Sequence, residues 1–140
     1  MFEHEEAIVK AFVVRERRER LLSFATSSKN RKKFTNELAH FRWFDMRYAT
    51  PVNWSVDPSL KLWDRHSQGL DNLVRLLKSK GAGATCWVVS ENTHVDGKEM
   101  TLEAALKSTI GSGMGTILSL VPGKLAYFEG EDEALLLVRQ

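Results

Sequence analysis

Apolar positions change their period near the middle of the chain. Up to about residue 79 they recur at three- and four-residue spacing; beyond residue 84 they fall in short runs bounded by turn residues. That change predicts helices first and strands later. Ile8, Ala11 and Phe12 share one side of a helix over 4–13, whose acidic first turn suits the helix dipole. Six consecutive charges, Arg15 to Arg20, interrupt any apolar stripe. The chain is therefore expected to break near Val13-Val14 and restart as a second helix to about Ala25, with Glu16 and Arg20, and Arg15 and Glu19, spaced for pairing. Ser27 and Ser28 are candidate caps of a third helix over 29–40. On it Phe34, Leu38 and Phe41 share a face, and Lys29, Lys32 and Lys33 point the other way. Residues 42–56 are aromatic-rich and irregular. Asp57-Pro58 opens a short helix with Leu60, Leu62 and Trp63. The most regular stripe, Leu70, Leu73, Val74 and Leu77, predicts a helix over 67–79, with Gly81 just past its end.

The second half reads differently. Residues 84–90 are apolar on both faces, as a covered strand is. A polar loop over 91–98 contains the turn pair Asp96-Gly97, and Thr101 caps a helix bearing Leu102, Ala105, Leu106 and Ile110. Residues 116–121 and 124–129 flank Pro122-Gly123, where proline fixes φ at one turn position and glycine supplies the positive φ of a type II turn at the next. Residues 134–138 read as a strand in preference to a helix. The fold class expected is α+β: N-terminal helices packed on one face of a small, mainly antiparallel C-terminal sheet, containing a β-hairpin at Pro122-Gly123.

Length and composition narrow this picture without changing it. At 140 residues the chain fits one domain, 1–140, and shows no repeat or linker. With one cysteine, Cys86, it forms no internal disulfide, which fits a reducing compartment. The start is acidic and lacks the order of a secretory signal, and the longest apolar runs are too short for a bilayer. A soluble, cytoplasmic protein with no membrane partner is expected. Charge is divided: residues 1–50 carry 11 Lys/Arg against 7 Asp/Glu, and residues 91–140 carry 4 against 8. That asymmetry points either to an anionic partner or to attraction between the two halves of one fold.

No motif specifies a reaction, and none implies a cofactor or a metal. Gly111-x-Gly113-x-Gly115 follows a helix instead of preceding one, so the partly negative helix end would repel phosphate. Cys86 lies mid-strand and reads as a small buried hydrophobe. The candidates for catalysis are Glu91, His94 and Asp96, clustered with Glu99 in the loop after the first strand, where one imidazole among carboxylates could exchange protons. A solvated turn is the preferred account of them. The candidates for binding are Trp43, Arg47, Tyr48 and Trp54, the aromatic and arginine types that interface hot spots use. Lys29, Lys32 and Lys33 form a candidate basic patch. The reading preferred from sequence is a small binding or regulatory module contacting a protein partner, or a second copy of itself, through segment 41–54 and the basic helices. Two alternatives stand beside it: a small enzyme or ligand-binding domain using loop 91–99, and a nucleic-acid binder using the basic helices.

Overall fold

The computed structural model describes residues 2–25, 27–39, 43–52, 59, 62–131 and 133–139, with the backbone alone for 2 and 62–66. The helices are α1 (Phe2–Phe12), α2 (Arg15–Ala25), α3 (Arg31–Leu38), α4 (Leu62–Ser79) and α5 (Leu102–Thr109). The strands are β1 (Ala49–Pro51), β2 (Thr85–Ser90), β3 (Lys98–Thr101), β4 (Thr116–Val121), β5 (Leu125–Glu129) and β6 (Ala134–Val138). They form one antiparallel sheet in the order β1-β6-β5-β4-β2-β3. The α+β class and the mostly N-terminal helices agree with the sequence pattern.

The sheet is covered on both faces, not on one. Val89, Ile117, Ala126, Phe128, Leu135 and Leu137 meet Ile8, Phe12, Leu21, Phe34 and Leu38 of α1, α2 and α3. Residues one step away in register, Val88, Leu118, Leu125, Tyr127 and Leu136, meet Leu73 and Leu77 of α4 and Leu102 and Leu106 of α5. Strands buried on both sides need apolar residues at consecutive positions, and the run Leu135-Leu136-Leu137 supplies them.

Local chemistry explains several boundaries. Residues 62–79 form one helix, so Leu62 and Trp63 belong to α4 and not to a separate short helix; Asp57-Pro58 and Leu60 lie outside the described residues. Its end is a Schellman motif: Ala82 N–H donates to Leu77 O and Gly81 N–H to Lys78 O, with Gly81 at φ +113°. Thr101 caps α5 by accepting from Ala104 N–H. The hairpin turn is closed by Lys124 N–H to Val121 O, with Gly123 at φ +74° as a type II turn requires. Such a turn fits poorly between twisted strands, and a register shift between Ser119 and Val121 accommodates it.

Three further expectations need correction. Ser27 makes no side-chain cap, because a 3-10 turn at Ser28–Asn30 precedes α3. Residues 98–101 form an edge strand, which the loop expected over 91–98 and the cap at Thr101 left out. Residues 49–51, inside the irregular segment, form the opposite edge. Among the described residues no helix is long and apolar enough to cross a membrane.

Candidate functional site

The break at Val13-Val14 sets up the outer surface. Val13 bridges Phe44, Val14 N–H donates to Trp43 O, and Asp45 N–H donates to Phe12 O. The chain after α3 is thereby pinned beside the first turn of α2. Phe44 turns inward, 1% exposed, and meets Phe128 edge-on at 5.1 Å. Trp43, half-buried, stays at the surface against α2.

Arginines sit on the outward aromatic rings of this layer. The Arg17 guanidinium lies 3.8 Å over Trp43, Arg20 lies 5.1 Å from Phe24, and Arg47 and Arg139 lie 5.3 and 4.6 Å from Tyr48. Lys33 also approaches Phe24. These are cation–π distances. Arg20 does not pair with Glu16, four residues back. It forks onto Glu37 of α3 with contacts of 2.7 to 3.0 Å. Arg47 forks onto Asp45 and, by hydrogen bonding first, holds that carboxyl below its ordinary value. Arg15, Lys29, Lys32 and Lys33 are exposed and make no ion pair among the described residues. The surface is therefore cationic and aromatic. It is not a bare apolar patch around Trp43 and Tyr48, and Trp54 lies outside the described residues.

The loop after β2 is clamped. Arg31 spans two elements, donating to Asp96 at 2.7 and 2.8 Å and to Glu5 at 2.5 Å. Burial would lower the Arg31 pKa, but the hydrogen bonds it donates to both carboxylates outweigh that and raise it. Asp96 also accepts Ser90 N–H, and Glu5 accepts Trp87 Nε1–H. Glu91 accepts Gly115 N–H, so it tethers the glycine joint to β2. His94 is exposed, and the hydrogen bonds at this residue come from its backbone. Of the three catalytic candidates, both carboxylates already hold the fold together. The Arg31 clamp was missed in the sequence because its partners lie 26 and 65 residues away.

His4 Nδ1 lies 2.9 Å from Ser119 Oγ, with the His4 ring stacked on Trp87. Ser119 is 1% exposed in the middle of β4, where no substrate carbonyl could reach it. Cys86 is buried, and burial, then the charge of Glu99, pushes its thiol up to about 12, which suppresses the nucleophilic thiolate. A groove of about 530 Å³ between α4 and α5, lined by Leu70, Val74, Lys78 and Glu103, lacks a nucleophile paired with a base. An acidic cleft of about 320 Å³ lies beside Glu129, whose carboxylate accepts from Tyr127 OH and Gly111 N–H. Among the described residues no group of three or more His, Cys, Asp or Glu is arranged to hold a metal ion.

No protein-family model matches the chain, and no curated protein and no solved structure matches it either.

Proposed function

We propose that this protein is a binding module that docks an acidic surface of a protein partner on the outer face of α2 and α3. One observation carries the reading. The excess positive charge of the first half is left largely unmatched: among the described residues a single ion pair, Arg31 to Asp96, joins residues 1–50 to residues 91–140. Residues 15–39 hold eight Lys/Arg against three Glu, a net of +5. Leu21 is the buried residue of α2, so most of its charges face solvent. A charge excess held on one face steers an oppositely charged partner and raises its association rate.

A protein partner suits the face better than nucleic acid. Bases stack on free aromatic faces. Here Trp43, Phe24 and Tyr48 already have guanidinium or ammonium groups against them. Glu16 and Glu19 are interspersed and exposed, which opposes a continuous phosphate backbone more than a protein surface of mixed charge.

The test is fluorescence anisotropy with a labelled oligoglutamate peptide and, in parallel, a labelled single-stranded oligonucleotide, at low and at physiological salt. The peptide should bind the full chain, weaken as salt rises, and weaken further in the Lys29→Glu, Lys32→Glu, Lys33→Glu variant. Tighter binding of the oligonucleotide, or binding indifferent to the triple reversal, would turn the assignment down.

A further inference from the structure

We infer that Arg17, seated on Trp43, is the anchoring site of this face and takes one carboxylate of the partner in a two-bond fork. The inference rests on the acidic-partner reading and names the residue on which it turns. Five arginines lie against aromatic rings among the described residues: Arg17, Arg20, Arg31, Arg47 and Arg139. Four have their donors engaged within the chain. Arg20 holds Glu37, Arg31 holds Glu5 and Asp96, Arg47 holds Asp45, and Arg139 donates to Ala11 O. Arg17 is the exception, with neither an ion pair nor a side-chain hydrogen bond among the described residues. It also makes the shortest of these ring contacts, 3.8 Å.

The geometry gives that exception a use. Stacking occupies the flat face of a guanidinium and leaves its in-plane N–H groups at the rim, where they match the two oxygens of a carboxylate. The backbone that carries Trp43 is fixed, because Val14 N–H donates to Trp43 O and Asp45 N–H donates to Phe12 O at the α1–α2 junction. The ring therefore holds a long, flexible side chain in one place before any partner arrives, and less rotamer freedom is lost on binding. Arg15 is exposed on the same turn of α2 and adds charge without a ring beneath it. A lysine at position 17 would keep the charge and lose both the stack and the fork.

The experiment repeats the oligoglutamate titration with Arg17→Lys, Arg17→Gln, Trp43→Leu and, as a control on the opposite side of the sheet, Arg75→Lys. Circular dichroism and thermal melts first establish that each variant is folded. Arg17→Lys should bind about tenfold more weakly, the scale of a lost bidentate charge-assisted contact. Trp43→Leu should weaken binding in the same direction, and Arg75→Lys should stay within about twofold. If Arg17→Lys binds within about twofold of the parent while the triple lysine reversal abolishes binding, the face stands and the fork is overturned. If the parent chain does not bind the peptide, the reading of the face fails and the fork with it. A competition arm compares free glutarate with inorganic phosphate at matched ionic strength. Stronger displacement by phosphate would overturn the carboxylate assignment.

Discussion

Replacing Arg31 by methionine should destabilise this fold more than any single change on its outer surface. The guanidinium donates three hydrogen bonds, two to Asp96 and one to Glu5. The carboxylate side chains are 13% and 4% exposed, and Arg31 itself is 27% exposed. Methionine keeps an unbranched apolar side chain but removes the charge, so two carboxylates are left with Ser90 N–H and Trp87 Nε1–H as their remaining donors. Removing one partner of a buried pair costs about 3–5 kcal/mol, and the lower end applies because Asp96 can still hydrate. A loss of about 3 kcal/mol corresponds to a Tm lower by roughly 9 °C in a chain of this size. Urea and thermal unfolding at pH 7, followed by far-UV circular dichroism, measure it. The decisive arm adds Glu5→Gln and Asp96→Asn to Arg31→Met. If the cost comes from stranded charge, this neutral triple variant is more stable than the single one. A single variant that loses less than about 1 kcal/mol, or a triple variant less stable than it, would refute the reasoning.

Three further outcomes test other parts of the structure. Gly115→Ala would place a Cβ 2.5 Å from Ala39 Cβ and 2.8 Å from Glu91 Oε1, so it should cost about 1–3 kcal/mol in urea unfolding; a change within about 0.5 kcal/mol would contradict the close approach. Cys86, lifted by burial from 9.0 to about 12, should be alkylated at pH 8 at least about a thousandfold more slowly in the native protein than in urea. Because the folded state favours its neutral thiol, Cys86 should also draw stability out of the fold as pH rises from about 9 towards 12, a slope absent in Cys86→Ser.

The parts legible in the sequence are those fixed by local chemistry. The helix ending at Gly81, the Thr101 cap and the Pro122-Gly123 turn each depend on neighbours within a few residues, so spacing reveals them. The exposure of Lys29, Lys32 and Lys33 was legible as well, because Phe34 and Leu38 fix which side of α3 is buried. The edge strands were not. Lys98-Glu99-Met100-Thr101 is mostly exposed and Ala49–Pro51 is three residues long, so neither shows an alternating apolar pattern. The second helical layer left a trace in the two-sided apolar runs, but nothing local says that α4 and α5 supply the cover. Long-range pairing was illegible for the same reason. Arg17 reaches Trp43, and Arg31 reaches Asp96, only once the sheet and the α1–α2 break have brought distant segments together. The catalytic reading of Glu91 and Asp96 shows the consequence: a loop cluster looks available until the fold engages it.

The most direct measurement of the central claim is a map of where an acidic ligand lands. Amide chemical shifts of the full chain would be followed while unlabelled oligoglutamate is added at low salt. The changes should fall on 15–20, 29–33 and 43–48, fade as salt is raised, and lose their centre at Arg17 in Arg17→Lys. Changes gathered instead along the α4–α5 groove, or no change anywhere, would contradict that claim.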